Sequence, residues 1–588
     1  MLLILASSVT AQAAEFRVGA PGDASCTHTT LLAALLAAAG NGPGLDTIRI
    51  ATNQAYTGIV LPISGHSVRL EGGYASCGDG TASGRTTLTG RPGDSSAIST
   101  SGNGQHALEL INLEIADSPT GGSASRLGGG LRVAGDYRVT LRNTRIRNNR
   151  AARGGGIHVA GVAGTQVIFE APLNQIDANT ASISGGGLYC TGQARIELRA
   201  GAAAIARNSA EAGGTDPDES GTGGGVALFN GCVLEQIGGS AATGVYENVA
   251  VQYGGGYYLR NQAELRLIGT AQGPAGVIDN RVSRTTGVTP GAGGGIAIRD
   301  PAGSVEGSEV MAMNAWIDHN YAWQGGGVAL LGGGQFIMAR SLAGALCHDA
   351  RYCSSLSFNG YDGISLAARA GALWAQQGAV VLIAGTYVEG NGADAASAFW
   401  TSNSARVTLD SLVLTGNFGA AALIEARDIS GGGVLALAWS TVTGNAFTGA
   451  PLGRRILIAN AAPNAYSVSV YGSLLGEPIP VGVSAPLLSS DCVLRDPAMQ
   501  LPVGTVTRQA TLASPYGLAG IGAGNFHLAG GNVVPVDWCD SSLSPRMSTD
   551  IHGATQVVDA IRANLHGIHD IGAHEYADTD LIFANGFQ

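Results

Sequence analysis

Lysine is missing from this 588-residue chain, so all 32 basic residues are arginine, and only 13% of the sequence is charged. The net charge is −11 and the arginines form no basic cluster. Nucleic acid is thereby excluded as a partner, because phosphates require a concentrated positive face. An anionic bilayer surface would find equally little to hold. No stretch beyond the N-terminus reaches the ~18 apolar residues of a membrane-spanning helix, so no transmembrane helix is expected. No CxxC pair occurs, which removes the usual zinc spacing, and glycine does not recur at every third position, which removes collagen. Glycine is nevertheless plentiful, at 91 residues, and the hydrophobic fraction of 45% is too high for a disordered chain. A folded, glycine-rich, repetitive structure remains.

The first residues carry an apolar run, Leu2 to Val9, followed by the small-x-small triplet Ala11-Gln12-Ala13. This reads as a secretory signal peptide over residues 1–14, cut after Ala13 or Ala14. Eight cysteines, an even number, suit an oxidising compartment. Their order along the chain suggests the pairs Cys26–Cys77, Cys190–Cys232, Cys347–Cys353 and Cys492–Cys539. A secreted or outer-surface location follows as the expectation.

The strongest signal is an internal repeat. The pattern apolar-x-x-Asn ends at Asn149, Asn179, Asn208, Asn248, Asn280, Asn320, Asn359, Asn391, Asn417 and Asn445, with spacings of 26 to 40 residues. After many of these come three glycines and an alternating apolar run, as in Gly154-Gly155-Gly156-Ile157-His158-Val159. A further alternating run, such as Gln166-Val167-Ile168-Phe169, closes the unit. Period-two alternation gives each strand one inward face, which no single unit can bury alone, so the units must stack. The expected fold is all-β: a single right-handed parallel β-helix with about three strands per coil. Asparagines at one corner of successive coils would form an amide ladder, and glycines would supply the tight corners.

The ends differ from the middle. TTLLAALLAAA, Thr29 to Ala39, is the one helical pattern, and such an apolar helix would cap the first coil. The expected segments are a cap with first coils over 15–100, repeats over 101–490, an irregular C-terminal cap over 491–576 and a tail over 577–588. The stretch from Gly213 to Gly221, GGTDPDESG, reads as an acidic loop projecting from one coil.

Several pieces carry a family likeness. Cys26 through Leu31, with Pro43-Gly44-Leu45-Asp46-Thr47-Ile48, resembles the N-terminal CSLREA motif of exported bacterial β-helix proteins. Val534 to Asp537, Asp550 to Gly553 and Asp570 to Glu575 resemble the choice-of-anchor Q family of right-handed β-helix proteins. The alternation of IxxN and GGGI is similar to the repeats of polymorphic outer-membrane proteins, which are adhesin-like. The resemblance implies export and the β-helix fold; a fold alone does not imply an activity.

Enzymes of the β-helix class act on polysaccharides, and their signatures are incomplete here. Trp316-Ile317-Asp318-His319 matches a WIDH element of pectate lyases, yet it is also one copy of the IxxN repeat. The RxPxxR base context is absent, as are the NTD, DD, GHG and RIK elements of polygalacturonases. No catalytic residue is therefore assigned, and no cofactor or metal is expected. The nearest candidates are Glu247, Asp279 and His319, each preceding a repeat asparagine in consecutive coils ~4.8 Å apart. They would serve glycoside chemistry or, with the histidine, a metal. Tyr253, Tyr257, Tyr258, Tyr321 and Trp323 could form a strip on which sugars stack, although packing in the interior or at a corner is the favoured reading of these rings. His566, His569, His574 and Glu575 fall in the closing element and read as structural. The function expected is surface interaction or adhesion by a monomer, toward a protein or glycan at a cell surface. A polysaccharide lyase, glycosidase or glycan binder is the alternative, and a structural matrix component is the third possibility.

Overall fold

The computed structural model describes residues 13–511, apart from 94, 117–125, 240–242, 284–289, 302–306, 341–353, 428–430, 451–452, 460–465, 478–480, 496–498 and 500–508. The signal peptide, Cys347–Cys353, Cys539 and the segments over 512–588 lie outside the described residues. By its internal contacts the chain divides into two compact units, Met1–Ser220 with Gly225–Glu235 and Gly221–Gly224 with Gln236–Gln588.

Both units are stacks of parallel β-coils. In the first, the strands Ser67–Tyr74, His106–Ile111, Tyr137–Arg142, Gln166–Glu170 and Arg195–Leu198 pair in that order, all parallel. Their register brings Leu70, Leu110, Leu141, Phe169 and Leu198 one above another, all buried. In the second, an inward column runs from Leu265 through Val310, Phe336, Val381, Val407, Leu435 and Val468 to Leu488. Each such side chain contributes about 1.5–3 kcal/mol by leaving water. This is the parallel β-helix that the alternation predicts.

The strand count needs adjusting. A fourth, short strand follows the repeat asparagine at Arg150–Arg153, Thr180–Ser184 and Ser209–Ala210 in the first unit. It recurs at Val249–Ala250 and Arg281–Val282 in the second.

The one helix among the described residues, Leu31–Gly40, packs on the strands Glu15–Val18, Leu45–Ala51 and Leu61–Ser64. Thr30 caps it, its hydroxyl accepting from the Ala33 amide at 3.3 Å. Leu31, Ala34, Leu35 and Ala38 form its buried face. Two disulfides are present, Cys26–Cys77 and Cys190–Cys232. Cys492 is buried, and its expected partner is not among the described residues.

The loop around 213–221 is exposed from Thr215 to Pro217, but its end folds back onto the coil. Glu219 is 8% exposed, and both its oxygens take the Arg153 guanidinium, with Nη2 to Oε2 at 2.7 Å. A fork of this kind offsets the cost of burying the carboxylate and draws the acidic loop onto the coil.

The glycine triplets have three distinct reasons, seen at Gly254-Gly255-Gly256. Gly254 lies at φ +63°, in the left-handed region. A Cβ on Gly255 would strike the Gly294 carbonyl oxygen of the next coil. A Cβ on Gly256 would lie 2.7 Å from the Gly295 carbonyl oxygen and 3.1 Å from the side-chain amide of Asn280. The third glycine therefore makes room for both the backbone and the asparagine of the neighbouring coil.

A candidate ligand cleft at the asparagine corner

The repeat asparagines bond to one another through the coils. Asn280 donates from both its backbone N and its Nδ2 to Oδ1 of Asn320, at 3.0 and 3.1 Å. Its Nδ2 also reaches the carbonyls of Val245 and Ile278. The same contacts run Asn320 to Asn359, Asn391, Asn417 and Asn445 in the second unit. A shorter run links Asn149, Asn179 and Asn208 in the first. The apolar-x-x-Asn pattern ends at Asn445. The ladder continues one rung further, to the buried Glu477, which takes the place of the next asparagine.

The residue before each rung takes a left-handed conformation. Within the second unit φ is +55° at Glu247, +56° at Asp279, +58° at His319 and +55° at Phe358. Gly390, Gly416 and Gly444 continue the series. With the backbone folded this way, the asparagine turns inward and its predecessor faces out. Glu247, Asp279 and His319 are therefore an outward corner column, held in place by the ladder beside it.

Asp279 and His319 open into a cleft of about 480 Å³. Its floor continues through Phe358, which stacks on the His319 ring with centroids 4.9 Å apart and planes 22° apart. A Cβ on Gly390 would run into the Phe358 ring, so glycine in the next coil admits it. The wall is the turn from Tyr361 to Leu366, closed by an antiparallel bridge between those two residues. Asp362 shapes the turn by accepting from the amides of Ile364 and Ser365, at 3.1 and 2.7 Å. It also pins the wall to the floor through an ion pair with Arg281 at 2.8 Å. The Arg281 guanidinium in turn lies 5.1 Å from the Tyr321 ring centre. Tyr361 meets Phe418 edge-on, centroids 5.7 Å apart. Phe358 and Tyr361 are 43% and 42% exposed, whereas most large rings of the described residues are buried.

Burial raises the Asp279 carboxyl above the usual range; the charge of Glu247 adds to this and His319 opposes it. Behind the column sits Asp318, buried, accepting from Ser355 Oγ and the Ser357 amide at 2.9 Å each. Burial pushes its carboxyl up to about 7. Metal binding by the column finds no support. Among the described residues, the one gathering of His, Cys, Asp and Glu ligand atoms is Asp23 with Cys26 and Cys77, whose sulfurs are bonded to each other.

The four tyrosines pack in the interior or at a corner, and no sugar-stacking strip forms from them; Trp323 is half-buried. Tyr253, Tyr257, Tyr258 and Tyr321 are each less than 5% exposed. Tyr257 points inward and donates to Gln236 Oε1 at 2.6 Å, and Tyr253 stacks on Tyr258. Alternation after the glycine triplet places such rings at the interior or the corner. The exposed rings at the cleft are Phe358 and Tyr361 instead, with Phe418 half-buried beside them, and only Phe358, as the predecessor of Asn359, falls in the repeat.

A second cleft, of about 540 Å³, lies in the first unit around His106, Asp136 and Arg138. His106 is the one ring in its lining, so it lacks an aromatic platform. Comparison with known protein families and with curated proteins finds no match.

Proposed function

We propose that this is an exported bacterial β-helix protein that attaches to carbohydrate at a cell surface through the Asp279–Phe418 cleft. The observation that carries the reading is the exposed aromatic floor and wall, Phe358 and Tyr361, set beside the polar groups of Asp279, His319 and Arg281. Sugars are bound in this manner elsewhere, the apolar ring face against an aromatic ring and the hydroxyls against charged side chains. Export is supported by the two disulfides, which suit an oxidising compartment. No described helix is long and apolar enough to cross a membrane. The reading is of attachment rather than turnover, because Asp362, the second carboxylate of the lining, is engaged in its ion pair with Arg281.

A glycan array probed with the purified chain tests this directly, run beside an assay for depolymerised products. Retention of defined oligosaccharides without cleavage is expected, with retention lost in Tyr361→Ala. A chain that retains no glycan, or a Tyr361→Ala variant that binds as well as the parent, would overturn the proposal.

A further inference from the structure

We infer that the cleft prefers an oligosaccharide of amino sugars, whose ammonium groups meet Asp279 while the ring faces lie on Phe358. The inference rests on the carbohydrate reading above and specifies the sugar class.

Charge around the cleft is one-sided. Asp279 and Asp362 line it, and Glu247 acts electrostatically on Asp279. Asp394 acts on Tyr321, and Glu389 acts on Asp318 directly behind the floor. Against these five carboxylates stand Arg281 and His319. Arg281 is already engaged, paired with Asp362 and laid over Tyr321. Asp279 makes no ion pair or hydrogen bond through its carboxylate among the described residues. A uronate chain would bring its negative charges against Asp279 and Glu247, with no free arginine to receive them. An ammonium group reverses the sign of each of these interactions. It also gains from the ring faces of Phe358 and Tyr361, which attract cations. The corner column repeats every ~4.8 Å, so a chain of sugar rings lying along it can present one substituent to each coil.

The test compares tetramers of glucosamine, N-acetylglucosamine and galacturonate by calorimetry on the full chain. Acetylation removes the positive charge and keeps the ring, which isolates the electrostatic part. The glucosamine tetramer should bind roughly tenfold tighter than its acetylated counterpart at low salt. The gap should close at 1 M salt, where the screening length falls to about 3 Å, and also in Asp279→Asn. Tyr361→Ala should lose both neutral and charged tetramers. Equal affinity for the two hexosamine tetramers, or tightest binding of galacturonate, overturns this inference and leaves the carbohydrate reading standing. Binding of none of the three overturns the inference, and only failure on the full glycan array overturns the broader reading. A preference that persists unchanged in Asp279→Asn also overturns it.

Discussion

Asn445 donates twice to the carboxylate of Glu477, from its backbone N to Oε2 at 3.0 Å and from its Nδ2 to Oε1 at 2.6 Å. A buried acid thus closes an amide ladder, and burial pushes that acid up to about 7. A carboxyl whose folded value lies above its unfolded 4.5 holds its proton longer in the native state. Its contribution is complete below the unfolded value and is lost as the pH rises through the folded one. Asp318 behaves in the same sense. Denaturant unfolding should therefore show the second unit less stable at pH 8 than at pH 5, by on the order of 2 kcal/mol. Glu477→Gln keeps an oxygen to accept both bonds and removes the charge, so it should flatten part of that slope; adding Asp318→Asn should flatten most of the remainder. A pH profile unchanged in the double variant would refute the assignment.

Interior rungs should be costlier to remove than the terminal one. Asn320 accepts two bonds from Asn280 and donates to Asn359, Val277 and Asp318 while fully buried. Asn320→Ala strands the Asn280 donors and the two carbonyls. A loss of about 3–4 kcal/mol is expected from several buried polar groups left without partners. Asn320→Asp should be at least as damaging, since it removes the Nδ2 donors and buries a charge. The midpoint of chemical denaturation measures both.

The left-handed column makes the opposite kind of prediction in the first unit. Ala178, exposed, sits at φ +55° directly before Asn179. An alanine held there is strained by its Cβ, and glycine is not. Ala178→Gly should raise the melting temperature, gaining up to about 1 kcal/mol, although glycine usually weakens a strand-rich fold. A drop in stability would show that the coil imposes no strain at this corner.

The fold was readable because stacking demands the same residue types at the same place in every coil. Inward aliphatics and corner asparagines recur visibly, and three glycines precede strand after strand for three separate steric reasons. The site was only half readable, and the cause is the same geometry. The position before each asparagine takes Asn, Ala, Arg, Glu, Asp, His, Phe and Gly because its side chain leaves the coil and does not enter the core. Repetition therefore identifies the position and says nothing of its use. Asp279 and His319 could be named from it. Tyr361 and Asp362 could not, since they lie in a turn that only one coil has. Glu477 escaped for another reason: Leu475 lies beside Val442 and Gly476 beside Thr443, so its corner is one residue shorter, and the defining amide has become an acid.

Phe358 combines strain with exposure, and the two can be separated experimentally. Its φ of +55° is costly for a side chain branched into a ring, whereas Gly390 occupies the equivalent corner of the next coil without penalty. The ring itself is 43% exposed, so removing it forfeits only part of its burial and its stacking on His319. Phe358→Gly should thus leave unfolding stability within about 1 kcal/mol of the parent, relief of strain offsetting lost contact. Oligosaccharide affinity should fall at least tenfold, because the floor of the cleft is gone. Phe358→Leu distinguishes the two effects: it keeps the left-handed strain and an apolar floor but offers no flat face. It should bind as poorly as the glycine variant and be no more stable than the parent. If the leucine variant bound normally, the platform would be acting through simple burial, and recognition of a sugar face by an aromatic ring would have to be abandoned.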